Sequence, residues 1–193
     1  LARMRVTSAQ KFWHGLAQWS VVRAGDFTGL APGSPTGYLT FDTLSARMSP
    51  RDACTSLAGA FRALGGEILL GETKGRGGDA TVLCTGYEGL KILSDALGQP
   101  IGKGIKGQGL LLEHDARNRP QVFAEGVHFI PHQNGTVAVG STSEIDWEGP
   151  EQTDEKLADL HARAVEICPV LHGATVLHRW AGVRPRARRR API

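Results

Sequence analysis

The chain is poor in cysteine and in aromatic residues, with three cysteines, four tryptophans, two tyrosines and six phenylalanines among 193 residues. Cys54, Cys84 and Cys168 are widely spaced and odd in number. They offer neither a disulfide framework nor a paired-cysteine zinc site, and the expected setting is a reducing compartment, the cytoplasm. No apolar run approaches the roughly 20 residues that a spanning helix needs, and the first residues do not read as a secretory leader. Charge of one sign is also scarce. The formal net charge is +3, and the excess is local, in Arg179, Arg184, Arg186, Arg188, Arg189 and Arg190. A globally basic nucleic-acid binder is therefore not expected, nor are aromatics interleaved with the basic run for single-strand stacking. His114, His132, His161, His172 and His178 lack a recognisable ligand spacing, so no metal site is expected. What remains is an ordinary globular composition, 41% hydrophobic and 21% charged, in a chain long enough to bury a real core.

Periodicity organises the first half. Leu1 to about Arg23 has helical spacing, with Phe12, Leu16 and Trp19 near one face, and a Gly/Pro-rich loop follows. Tyr38 to Phe41 reads as a short strand. Ser49-Pro50-Arg51-Asp52 is a helix start, with serine as cap, proline in the first turn and an acid three residues on. Its helix carries Ala53, Leu57, Ala60, Phe61 and Leu64 and stops at Gly65-Gly66. Glu67 to Leu70 and the apolar Thr81 to Cys84 are expected strands, the latter turning at Thr85-Gly86 into a helix over Glu88 to Leu97. This order predicts an α/β layer with part of a parallel sheet, at whose strand ends ligands bind.

The second half changes character. Ile105 to Leu112, Gln121 to Pro131 and Thr136 to Ser141 are extended runs, and Asn134-Gly135 is a strong hairpin signal. Thr153 is the expected cap of a helix with the apolar stripe Leu157, Leu160, Ala164 and Ile167, stopped by Pro169. The acids Asp146, Glu148, Glu151, Asp154 and Glu155 read as a solvated loop and helix N-terminus. The whole is thus mixed, α+β with an α/β portion, the second half being mainly antiparallel sheet plus one helix.

A last extended run begins at Ala174 and is expected to break at Gly182 and Pro185, delivering Arg184 to a bend. Arginine suits the grip of a carboxylate, because its planar fork offers paired donors and keeps its charge.

Trp180-Ala181-Gly182-Val183-Arg184-Pro185 resembles the Trp-Ala-Gly-Leu-Arg-Pro signature of the glycine oxidase and D-amino-acid oxidase family of flavoenzymes. Val82-Leu83-Cys84-Thr85-Gly86 resembles the pattern closing the FAD-binding domain of that family, with Cys84 in place of alanine. Lys106-Gly107-Gln108, Phe129-Ile130-Pro131-His132 with Asn134-Gly135, Val139-Gly140-Ser141-Thr142 and Pro169 with Leu171 resemble further family segments, in the family's order. The likeness covers roughly Tyr38 to Ile193.

The resemblance implies an FAD-dependent oxidoreductase that oxidises the C–N bond of a small amino acid or amine, a D-amino acid or a glycine-like molecule. Hydride passes to the flavin, and oxygen is the expected final acceptor. It implies that Arg184 anchors the substrate carboxylate, that His128 stands where glycine oxidases have a substrate-binding tyrosine, and that Ser143 lines the same pocket. Cys84, Thr85 and Gly86 would let the dinucleotide approach the backbone closely. The implied division is a helical substrate-domain segment over 1–37, a partial FAD-binding part over 38–98, an antiparallel substrate domain over 99–180 and a return over 181–193. The Gly-x-Gly-x-x-Gly turn and the family's closing flavin loop have no counterpart in this sequence, so a fragment, itself inactive, is the expectation. The turn from Thr73 to Asp79 is shorter than is usual in the family, which leaves adenine contacts near Thr73 and Lys74 in doubt. His128 for tyrosine and His132 for the hairpin arginine also argue against simple transfer of glycine specificity. The alternative is a non-catalytic binding module whose arginine cluster, Arg186 to Arg190, grips an acidic partner.

Overall fold

The computed structural model describes residues 2–13, 15–71 and 79–188. These form two compact units, one of Leu1–Arg47 with Lys106–Gly182 and one of Met48–Ile105 with Val183–Ile193. The elements are mixed, four α-helices and seven strands among the described residues.

In the first unit, helix α1 spans Ala2–Trp13 and is shorter than the sequence periodicity suggests. The left-handed Gly15 (φ 80°) ends the helical register, and the β-branched pair Val21-Val22 places Trp19–Arg23 in strand β1. Phe12 and Leu16 are left exposed. Strand β1 pairs antiparallel with β2, Tyr38–Asp42, in the register Trp19↔Asp42 to Arg23↔Tyr38. The expected parallel partner for Tyr38 to Phe41 is thus replaced by a local antiparallel one, which needs no crossover helix.

The main sheet runs in the order β4-β5-β6-β3-β7, with β3 at Gly102–Glu113, β4 at Val122–Ala124, β5 at Val127–Pro131, β6 at Thr136–Gly140 and β7 at Val176–Ala187. The expected single run from Gln121 to Pro131 is two strands. Glu125 (φ 50°) and Gly126 (φ 81°) both take the left-handed conformation and fold it into a two-residue hairpin. Helix α4, Glu155–Ile167, lays Leu157, Leu160, Ala164 and Ile167 on one face of the sheet. There it packs with Leu110, Leu112, Val127, Phe129, Val137 and Val139, all nearly inaccessible to solvent. Asp154, and not Thr153, caps α4, its carboxylate accepting from the amide of Lys156 at 3.0 Å.

In the second unit, helix α2 spans Pro50–Ala63 with Ser49 as its cap and Pro50 in its first turn, as the sequence predicts. Helix α3 spans Gly86–Ala96. Glu67–Leu70 and Thr81–Cys84 are not strands, and Leu70, Val82 and Leu83 are more than three-quarters exposed. An apolar run becomes a strand only where a neighbouring edge takes up its backbone groups, and none does so among the described residues. Among the described residues no helix is long and apolar enough to cross a membrane.

Candidate active site

Alternation along the sheet decides which side chains are available for chemistry. One face is committed to the core under α4. The other carries a row that crosses three strand pairs: Phe123 faces His128, His128 faces Gly140 and Gly140 faces Gly109. Trp180 lies against the far end of this row, since a Cβ placed on Gly109 would stand 2.7 Å from its ring. At the near end the rings of Phe123 and His128 stack, their centroids 4.4 Å apart and tilted by 33°. Between these aromatic walls lies Gly140, where a Cβ would meet no atom within 4 Å. Trp180 covers Gly109, so the uncovered strip is the width of the one strand at Gly140, on the order of 5 Å, flanked by one imidazole and one indole. The exposed His128 presents its hydrogen-bonding ring nitrogens on this face.

Ser143 lies elsewhere in the same unit. It lines a cavity of about 420 Å³ together with Thr142, Glu144, Asp146, Lys156 and Arg163, and His128 is not part of that lining. Behind it sits a buried polar network. Gln108 donates to Glu144 at 3.0 Å and to Asp154 at 2.6 Å and accepts from the Asp154 amide at 2.9 Å. Lys156 donates to Glu144 at 3.0 Å, Thr142 donates to it at 2.5 Å, and the nearly inaccessible Lys106 donates to the Glu148 carbonyl at 3.0 Å. Burial alone would push the Glu144 carboxyl up, but the hydrogen bonds from Thr142, Lys156 and Gln108 outweigh it and hold the group below the usual carboxylate range. The Gln108 amide does the same for Asp154, against the opposing effect of burial. Asp154 is therefore bound into the fold, not merely a solvated helix-end acid. The network ties β3 to the start of α4, and it escaped sequence reasoning because Gln108 lies 36 residues from Glu144 and 46 from Asp154.

The second unit holds the remaining candidates. Arg184 is exposed and lies within β7, which runs through Gly182 and Pro185 without the expected bend. β7 is the last strand in the sheet order, and an edge tolerates a proline that has no amide hydrogen to give. Cys84 is an exposed free thiol. Thr85 precedes α3 but makes no side-chain cap, and Gly86 (φ 59°) has no atom within 4 Å of where a Cβ would be. The open space at Gly86 leaves room for another group to approach the backbone of this turn closely. Thr73, Lys74, Arg189, Arg190 and Ala191-Pro192-Ile193 lie outside the described residues.

Phe123 was also not singled out by the sequence. The signal for it is the Glu125-Gly126 turn, which, once recognised, places Phe123 directly opposite His128.

A family model described as FAD dependent oxidoreductase matches residues 4–193, nearly the whole chain. The chain belongs to this family, that of the D-amino-acid and glycine oxidases, whose cofactor is FAD. It is 42% identical over 82 residues to a glycine oxidase of Pseudomonas putida, covering 42% of this chain and 22% of the relative. It is 33% identical over 125 residues to a glycine oxidase of Pseudomonas aeruginosa, covering 62% of this chain and 34% of the relative. Among solved structures, the crystal structure of glycine oxidase from Geobacillus kaustophilus matches 56% of this chain and 30% of its own, at 19% identity and a TM-score of 0.49. The chain thus spans about a third or less of the length of these relatives.

Proposed function

We propose that the whole protein to which this chain corresponds oxidises the C–N bond of a small amino acid or amine, a D-amino acid or a glycine-like substrate. FAD, when bound, supplies the acceptor for the hydride that leaves the substrate carbon. The protein then has three tasks: to hold the carboxylate, to orient the amine and to keep water away. Arg184 is assigned the first, by its charge and its fork of donors. His128 is assigned the second, since either ring nitrogen can hydrogen-bond the amine or take its proton. The open face at Gly140 and the indole of Trp180, which covers Gly109 beside it, are assigned the third. Ser143 is kept as a residue of the neighbouring polar cavity. Cys84, Thr85 and Gly86 are assigned to the cofactor, and molecular oxygen is the proposed acceptor of the electrons. The free Cys54 and Cys84 accord with a reducing, cytoplasmic setting.

The observation that supports this reading most is His128 beside the open floor at Gly140, in a chain of this family. The test is anaerobic mixing of the flavin-loaded protein with glycine and with D-amino acids. Bleaching of the oxidised flavin absorbance is the expected outcome. A flavin that stays oxidised with every amino acid and simple amine tried would overturn the reading.

A further inference from the structure

The imidazole of His128 has few holds on it. Across the strands it faces Phe123 on one side and Gly140 on the other, and Gly140 brings no side chain to pack against. Among the described residues no hydrogen bond reaches either of its ring nitrogens, and the residue is exposed. What does hold the ring is the stack on Phe123, with centroids 4.4 Å apart and planes tilted by 33°. Such a stack engages the face of the imidazole, whereas both nitrogens lie in the plane of the ring and stay available at its edge. Phe123 has little part in the core. It is 65% exposed, while its neighbour Val122 is buried opposite the buried Phe129. The pairing of Phe123 with His128 is fixed by the tight turn at Glu125 and Gly126, which joins β4 directly to β5.

We propose that Phe123 is a positioning residue of the oxidase reaction, whose ring fixes the plane of the His128 imidazole so that a ring nitrogen meets the substrate amine. The inference rests on the assignment of His128 to that amine made above and goes one residue beyond it. An unsupported histidine on a strand samples several orientations about χ1 and a broad range about χ2. Stacking on Phe123 keeps those in which the face of the imidazole is covered and its edge is turned outward. The ring is then ordered before the substrate arrives, and orientation does not have to be achieved anew at each turnover. Phe123 touches neither the amine nor the carboxylate in this account and acts through His128 alone.

The experiment measures kcat/KM for glycine and D-alanine with the flavin-loaded whole protein and with Phe123→Leu, Phe123→Tyr, His128→Ala and the double variant of Phe123→Leu with His128→Ala. Phe123→Leu removes the ring but keeps an apolar side chain, and it is expected to lower kcat/KM about three- to tenfold, the range that the loss of an aromatic pair accounts for. Phe123→Tyr restores the ring and should restore the rate. The urea midpoint of Phe123→Leu should stay at the native value, since the residue is exposed. In the His128→Ala background the Phe123→Leu change is expected to have no further effect, because a residue that acts only through His128 has nothing left to position. An equal loss in both backgrounds would make Phe123 a structural residue, and a native rate in Phe123→Leu or a failure of Phe123→Tyr to restore it would likewise overturn the proposal, with the oxidase reading left intact. A native rate in His128→Ala would instead remove the assignment of His128, and this inference with it.

Discussion

The indole of Trp180 lies over Gly109, so that a Cβ on Gly109 would stand 2.7 Å from Cζ2 of Trp180 and 3.0 Å from the carbonyl oxygen of Val139. The indole can shift but the carbonyl belongs to a paired strand. Gly109→Ala is therefore expected to destabilise the fold by about 1–3 kcal/mol, the usual effect of overpacking. A urea titration monitored by tryptophan fluorescence reads it directly, and an unchanged midpoint would show that Trp180 does not sit there.

Gly140 lies beside Gly109 in the same row, yet has open space above it. Gly140→Leu should lower kcat/KM for the preferred amino acid about tenfold or more, by occupying the floor on which the substrate is oriented. Its effect on the urea midpoint should be smaller than that of Gly109→Ala. The reverse ranking, with activity kept and stability lost, would mean that the open face is not the site.

Arg184 is assigned to a substrate carboxylate. Arg184→Ala should cost about 2–4 kcal/mol of binding, roughly 30- to 1000-fold in kcat/KM, the range found when one partner of a charge pair is removed. Simple amines without a carboxylate should lose much less. Equal losses for both substrate types, measured by steady-state kinetics, would rule out the clasp.

Acid should weaken the fold through Glu144 and Asp154. Both carboxyls are held below their ordinary values in the folded protein, so their contribution is present above the ordinary carboxylate range, near pH 4, and is lost as pH falls through the lowered folded values. Urea midpoints should thus fall steeply below pH 4. Glu144→Gln is expected to cost about 1–3 kcal/mol at pH 7 by unbalancing the hydrogen bonds from Thr142, Lys156 and Gln108, and to flatten the acid limb. An acid limb identical in the variant would assign the effect to other groups.

Cys168 is completely buried, and burial pushes its thiol up to about 12, whereas Cys54 and Cys84 are exposed. Iodoacetamide at pH 8 should therefore label Cys54 and Cys84 in the native protein and reach Cys168 only in urea. Mass spectrometry of the peptides counts the sites. Rapid native labelling of Cys168 would mean that the core around α4 opens readily.

Much of the candidate site was legible because its signals are local. Asn134-Gly135 gave the β5–β6 hairpin, Ser49-Pro50 gave the start of α2, and the segment around Trp180 and Arg184 carried the family resemblance. The errors have physical causes. Trp19, Val21 and Val22 continue a helical spacing in the sequence, but Gly15 ends the helix and a partner strand at Tyr38–Asp42 takes their backbone groups. Val82 and Leu83 are as apolar as any core strand, but strand formation depends on a partner edge that local sequence does not report. Pro185 reads as a break, yet a sheet edge accommodates it.

The amino-acid sequence by itself determined the mixed composition of elements, the short turns and the kinds of residue that could serve a flavin-dependent oxidation, because each depends on neighbours within a few positions. Only the tertiary structure decided that Phe123 stacks on His128, that Gly140 is left uncovered while Trp180 covers Gly109, and that Gln108, Glu144 and Asp154 share one network. Those relations are set by strand register and by packing between segments far apart in the chain, and a one-residue change of register would turn each of these side chains to the opposite face.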